Sequence, residues 1–350
     1  MSNSRHQFFI GGQWVAPATD RTFTLVNAST EAVIGTVPEA AEADVDAAVA
    51  AARTAFAASG WADASPAERA AVMERFMAAI AARGEAIAQA VSMQNGMPVS
   101  LSQLLEGQFS VGVVQYYAEL AKTMGQPDVR PSQMGRETLV EGSPVGVVAA
   151  IVPWNFPVTL ALNKVAPAMA AGCTLVIKPS PGTVLDSYLL AEAALEAGVP
   201  AGVVNWVAAD REVGAYLVGH PGVDKVAFTG STAAGRAIGR TCGELLRPVS
   251  LELGGKSAAI LLDDADIGTF LQGVPMACML NNGQACYNGT RILAPRSRYG
   301  DIVDALAGFA NALVVGDALD PGTHIGPMAS SAHRQRVESY IEIGKQEARL

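Results

Sequence analysis

The pattern of apolar and polar positions changes character twice along the chain. Through residue 40, the stretches FFIGGQWV, FTLVNAST and AVIGTVP are broken by Gly, Asn and Pro, and they predict short strands joined by turns. The period then shifts to that of a helix. Val45, Val49, Ala52 and Phe56 share one face of a predicted helix over 43–58. Ser65-Pro66-Ala67-Glu68 opens the next one, with Ser as N-cap, Pro at the first helical position and Glu placed to close a capping box. Met73, Phe76 and Ile80 form its apolar stripe, and Gly84 and Asn95-Gly96 punctuate the helices that follow.

From Val145 the rhythm changes again. Apolar runs alternate with helical segments: VGVVAAIVP, a helix over 157–171, TLVIKP, a helix over 184–197, GVVNWVA, a helix over 212–218, VDKVAFTG, a helix over 233–242, and RPVSLEL. Continuous rather than alternating apolar runs predict an α/β fold with a parallel sheet covered on both faces. Ligands of such sheets bind beyond the carboxyl ends of the strands. The informative residues are therefore Pro153-Trp154-Asn155, Lys178-Pro179-Ser180, Thr229-Gly230-Ser231 and Glu252. The polar segment before the sheet, ending in RETLVEGSP, reads as a projecting hairpin or linker.

Composition narrows the function classes. A chain of 350 residues is long for one core and suggests two or more domains. Half of it is hydrophobic and 16% charged, which is globular rather than disordered. A net charge of −9 with no Lys/Arg run argues against nucleic acid as a partner. No apolar stretch approaches membrane-spanning length, and MSNSRHQFFIGGQW lacks a signal-peptide core. Four scattered cysteines give no disulfide framework, and four unclustered histidines give no metal site. A cytoplasmic protein with reduced thiols is the expectation.

Four positions carry candidate chemistry. Cys286 sits in NNGQACYNGTRIL among small and polar residues, unlike Cys173, Cys242 and Cys278, which read as packing residues. Most free cysteines only fill space, so Cys286 needs partners to count as a nucleophile. Glu252, in SLELGGKS, is either a solvated strand-end carboxylate or a general base tuned by partial burial. Asn155 lies between two prolines in VPWNFPV, either as a turn residue or as a fixed amide donor for an oxyanion. FTGSTAAGRAIG ends a strand and starts a helix, which suits phosphate, but its spacing is neither GxGxxG nor a P-loop.

Taken together, PWNFP, KPS, FTGS, LELGGKS and GQAC follow an order and spacing that resemble the NAD(P)-dependent aldehyde dehydrogenase superfamily. The resemblance runs from FFIGGQWV to DPGTHIGPM. It implies a Rossmann-like cofactor domain over 1–122 and 144–252, an oligomerisation hairpin over 123–143 and part of an α/β catalytic domain over 253–350. It implies that Cys286 attacks the aldehyde carbonyl, that Asn155 and the Cys286 N–H hold the oxyanion, and that Glu252 activates water against the thioester. Lys164 would support the oxyanion, Lys178 would contact the adenosine ribose, and Gly230-Ser231 the pyrophosphate. Val152, Pro153, Trp154, Ser180, Pro181, Gly214, Phe228, Thr229, Leu253 and Gly254 would complete the cofactor cleft. Glu252 also marks the hydrolytic branch rather than the one that acylates coenzyme A.

Two departures from the family pattern stand out. Pro181 replaces a glutamate that many NAD-preferring members place on the adenosine ribose, so NAD is the expected cofactor with NADP possible. Family members also continue beyond the closing EARL with a segment carrying Glu-x-Phe-Gly-Pro, so the chain reads as a fragment whose full-length form is a homodimer or homotetramer. Gln108, Phe109, Val113, Phe156, Leu160 and Met279 offer no charged anchor, which favours a neutral, apolar aldehyde. Two rival readings remain at this stage. One is a thiol hydrolase, which needs a histidine beside Cys286. The other is a non-enzymatic homologue that only binds nucleotide or a partner subunit.

Overall fold

The short N-terminal stretches pair as hairpins. β1 (Phe8–Ile10) turns through Gly11-Gly12, both at positive φ, into antiparallel β2 (Gln13–Val15), and β3 (Thr22–Val26) pairs with β4 (Val33–Pro38). Helices α1 (Glu42–Ala58), α2 (Pro66–Ala81), α3 (Gly84–Asn95) and α4 (Val99–Ser102) follow. The expected capping box opens α2: Ser65 Oγ accepts from Glu68 N at 3.2 Å, and Glu68 Oε2 accepts from Ser65 N at 2.8 Å. A π-helical turn over Gln103–Phe109 then runs into α5 (Ser110–Thr123). The polar segment after α5 is an exposed antiparallel hairpin, β5 (Asp128–Pro131) with β6 (Glu137–Val140). The computed structural model describes residues 4–125 and 127–347, so residues 1–3, 126 and 348–350 of the expected domain spans lie outside it.

Every apolar run after Val145 becomes a strand, with a helix after each but the last. The elements are β7 (Val147–Ile151), α6 (Pro157–Ala170), β8 (Thr174–Lys178), α7 (Leu185–Glu196), β9 (Val204–Trp206), α8 (Arg211–Gly219), β10 (Lys225–Gly230), α9 (Thr232–Glu244) and β11 (Val249–Leu253). They form one sheet in the order β11-β10-β7-β8-β9-β1-β2, parallel from β11 to β9 and antiparallel at β1 and β2. One face packs Met73, Phe76, Ile80, Leu162, Met169 and Leu190 against Leu175 and Ile177. The other packs Val45, Val49, Leu217 and Val218 against Val176 and Val226. Burial on both faces is why these strands read as continuous apolar runs.

Strand order fixes where a ligand can sit. From β7 the chain steps outward to β8 and β9, then returns through α8 to place β10 on the other side of β7. The helices on either side of that reversal leave a crevice beyond the carboxyl ends of β7 and β10. Past β11, the chain forms β12 (Ala258–Ile260), α10 (Ile267–Ala277), β13 (Arg291–Leu293), α11 (Tyr299–Asn311) and α12 (Ser331–Glu347), with β12 and β13 as a separate parallel pair. Among the described residues, no helix is long and apolar enough to cross a membrane, and no group of three or more His, Cys, Asp or Glu could hold a metal ion.

Candidate active site

Sheet register brings the carboxyl ends of four strands level. Ile151 pairs with Lys178, Phe228 with Ile151 and Thr229 with Glu252. The residues that leave the sheet there are those singled out from the sequence: Val152 to Asn155, Lys178 to Pro181, Thr229 to Ser231, and Glu252 to Gly254. Val152 N donates to the Lys178 carbonyl at 3.0 Å, tying the first two exits together. Phe228 closes over Gly230, where a Cβ would lie 2.6 Å from its ring, and Leu253 fills the space beside Gly235. Ser231 starts α9 as its N-cap, its Oγ accepting from Ala234 N at 3.3 Å, at the carboxyl end of β10.

The Cys286 loop is built by left-handed backbone. Asn281, Asn282 and Gly283 have φ of 52, 58 and 79, a run that non-glycine residues rarely adopt and asparagine tolerates best. Side-chain bonds stabilise it. Asn282 Nδ2 donates to the carbonyls of Gly96 and Pro327 at 2.8 and 3.1 Å, and its Oδ1 accepts from Gly326 N at 2.9 Å. Asn281 Nδ2 donates to the Asn155 carbonyl at 2.9 Å. Asn155 Nδ2 in turn donates to the Gln284 carbonyl at 2.8 Å, two residues before Cys286. The Pro-Trp-Asn-Phe exit and the cysteine loop are thus locked together from both sides. Gly255 faces the same loop, since a Cβ there would lie 3.5 Å from the Cys286 carbonyl oxygen. Cys286 is half-buried while Cys173, Cys242 and Cys278 are buried, so only Cys286 has a path to solvent.

Two buried lysines flank the crevice. Lys164, on α6, donates to Thr229 Oγ1 across the β7–β10 reversal. Burial lowers its pKa to about 8, and the Glu252 carboxylate offsets part of that effect. Lys178 is lowered to about 8 by burial, with Asp210 opposing. Its side chain lies over Gly214, where a Cβ would come within 2.9 Å of Cε, so a glycine on α8 makes room for the ammonium. Glu252 is exposed, which matches the solvated strand-end reading rather than the partly buried one. The reason is that α9 covers only one face of β11: Leu251 and Leu253 pack toward Gly239 and Gly235 and are half-buried, while Ser250 and Glu252 face outward.

Some site residues carried no sequence signal. Asn95 Nδ2 donates to the carbonyls of Trp154 and Asn155 at 3.0 and 3.1 Å, bracing the exit from beneath. In the sequence, Asn95-Gly96 marked only a helix end. The His333 ring packs on Trp154 with centroids 4.8 Å apart, a contact between positions too far apart in the chain for any local pattern to reveal. The other ring contacts of histidine lie elsewhere: His220 meets Asp46 and Gly222, and His324 meets Val314. Among the described residues, none of these contacts supplies the partner that a thiol hydrolase would need.

Comparisons with known proteins agree with this geometry. A family model described as "Aldehyde dehydrogenase family" matches residues 14–350. The geranial dehydrogenase of Castellaniella defragrans is 55% identical over all of this chain and 73% of its own length. The phenylacetaldehyde dehydrogenase of Pseudomonas fluorescens is 40% identical over 97% of this chain and 69% of its own. Among solved structures, a Mycobacterium tuberculosis aldehyde dehydrogenase complexed with NAD+ superposes with a TM-score of 0.96 at 42% identity, covering 99% of this chain and 72% of that one. The relatives are longer than this chain, in keeping with the motif resemblance. With a family model across nearly its whole length and a relative more than half identical, this chain belongs to the aldehyde dehydrogenase family.

Proposed function

We propose that the protein oxidises a neutral, apolar aldehyde to the carboxylic acid with NAD+, through a covalent intermediate on Cys286. The observation that carries this reading is the bond from Asn155 Nδ2 to the Gln284 carbonyl, which ties the Asn155 amide to the loop that carries Cys286. The Cys286 thiolate adds to the aldehyde carbon. The charge that develops on oxygen meets Asn155 Nδ2 and the Cys286 N–H, donors already fixed before reaction. Lys164 adds positive charge nearby, and its depressed pKa lets it give up or take a proton near neutrality. When bound, the nicotinamide supplies the hydride acceptor that turns the thiohemiacetal into a thioester. Glu252, exposed and able to reach water, then takes a proton from the water that releases the acid.

The residues present fit a dinucleotide. The open α9 N-terminus suits a pyrophosphate, with Gly230 and Ser231 leading into it. Lys178, held over Gly214, would reach a ribose hydroxyl beside Ser180 and Pro181, and Trp154 with Phe228 would wall the cleft. Pro181 places no carboxylate where a 2′-phosphate would sit, so NADP+ is the alternative cofactor. The relatives named for geranial and phenylacetaldehyde support the apolar substrate class. In this reading the chain divides into a cofactor domain over 1–122 and 144–252, a hairpin over 123–143 and the N-terminal part of a catalytic domain over 253–350. Val129, Leu139 and Val140 are exposed on that hairpin, which suits pairing with a second copy in a dimer or tetramer, as light scattering would report. The test of activity is spectrophotometric. An apolar aldehyde with NAD+ is expected to yield reduced nicotinamide, and Cys286→Ser is expected to lower the rate at least about 10³-fold. Oxidation that persists in that variant would sink the mechanism.

A further inference from the structure

Helix α6 begins without a cap of its own. Phe156 precedes it and has no side-chain acceptor, so the N–H groups of its first turn must find partners elsewhere. They find one in Glu106, on the π-helical turn. Glu106 Oε2 accepts from Val158 N at 2.7 Å and from Thr159 N at 3.3 Å. The contact is reciprocal, because Thr159 Oγ1 donates to the Leu105 carbonyl at 2.7 Å. Glu106 is fully buried, and its other oxygen, Oε1, has no partner among the described residues. A buried carboxylate is costly unless its bonds are good, so this one sits where it is for the helix it caps. The turn that aims it is itself held by backbone contact: a Cβ on Gly107 would lie 2.9 Å from the Gly84 carbonyl oxygen, and π turns recur at functional sites.

What the cap holds is the start of the helix that follows Trp154-Asn155-Phe156 and carries Lys164 further along. We infer that Glu106 is a positioning residue for aldehyde oxidation: by capping α6 from the π turn, it fixes the Asn155 amide against the Cys286 loop. The inference rests on the proposed role of Asn155 as oxyanion donor. The neighbouring carboxyl fits this arrangement. Asp186 is also fully buried, and burial together with the Glu106 charge pushes it up to about 8, above the value of about 7 that burial gives Glu106. Glu106 Oε2 accepts two backbone N–H groups, whereas neither Asp186 oxygen has a hydrogen-bond partner among the described residues, so the charge is better held on Glu106, the stronger acceptor for the α6 N–H groups.

The test separates positioning from general damage. Glu106→Leu keeps the volume and removes the acceptor, whereas Glu106→Gln keeps an acceptor oxygen. Glu106→Leu is expected to lower kcat for aldehyde oxidation by roughly 10- to 100-fold, as a small misplacement of a catalytic group does. The KM for NAD+ and the rate of Cys286 alkylation by iodoacetamide are expected to stay within about twofold, since neither uses the oxyanion donor. Glu106→Gln is expected to restore kcat to within about threefold of wild type. The inference fails if Glu106→Leu retains full kcat, if alkylation and cofactor binding fall along with kcat, or if Gln is as damaging as Leu. Should Glu106→Leu not fold, Thr159→Val decides: it breaks the reciprocal bond to Leu105, and a severalfold loss of kcat at unchanged alkylation is expected, no loss being contrary. A wild type that reduces no cofactor with any aldehyde would overturn the functional reading itself, whereas an active wild type with an equally active Glu106→Leu would overturn only the role of the cap.

Discussion

Asn282 concentrates the energetics of the site at a single residue. It holds a left-handed backbone at φ 58 and spends its whole side chain on three bonds, to Gly96, Pro327 and Gly326. Replacing it with alanine removes those bonds and leaves an L residue in a region that costs it about 1 kcal/mol more than asparagine. Asn282→Ala is expected to lower the unfolding free energy by about 2–3 kcal/mol in urea melts. A change below about 0.5 kcal/mol would mean that the loop is held elsewhere. At this scale the sequence was partly legible. Cys286, Asn155 and Lys178 stood out because short motifs surround them, and Gly214 because the resemblance marked it. Asn95, Glu106 and His333 did not, since each acts through a contact distant in sequence: on the Trp154–Asn155 carbonyls, on the Val158 N–H and on the Trp154 ring. For Glu252 the sequence left solvation and partial burial both open, and only the fold, in which α9 covers one face of β11, shows it exposed.

At the scale of elements, the apolar runs from β7 to β11 predicted the strands to within a residue or two, and burial on both faces of β7, β8 and β9 leaves the plainest signal. The π turn over Gln103–Phe109 was not predicted, because its residues suit an ordinary helix. Tertiary contacts decide its form: the Gly84–Gly107 approach and the Glu106 cap on α6. Helix starts near the site are capped from afar in two places. Glu106 caps α6, and Gln94 Oε1 accepts from Val184 N and Leu185 N, at 2.9 and 3.1 Å, where α7 begins. Asp186, in the first turn of α7, has neither oxygen partnered among the described residues' hydrogen bonds. Burial raises it from 3.8 to about 8, so the native state keeps a proton that the unfolded chain releases. The contribution of Asp186 to stability is therefore fully present below about pH 4 and is lost as pH rises through about 8. Asp186→Asn is neutral throughout, so its melting temperature is expected to fall less than that of wild type across this window, by a few degrees. Parallel curves for the two proteins would show that Asp186 does not hold its proton.

Across the whole molecule, one face of chemistry meets two parts of the chain. The sheet and its helix α6 supply Asn155, Lys164, Lys178 and Glu252, and the segment past β11 supplies Cys286 on a loop bonded to Asn155 through Asn281 and Gln284. Neither part holds the proposed reacting groups alone. The segment past β11 also exposes Ile260, Leu262, Leu293, Val314 and Val315. The central claim is that this meeting point forms an acyl-enzyme on Cys286, and trapping that species tests it most directly. Glu252→Gln, incubated with an apolar aldehyde and NAD+, should release acid slowly and accumulate the acyl group. Intact and peptide mass spectrometry should then find the added acyl mass on the peptide containing Cys286, and find none in Cys286→Ser. Reduced nicotinamide forming at the wild-type rate with no adduct on Cys286 would contradict the account.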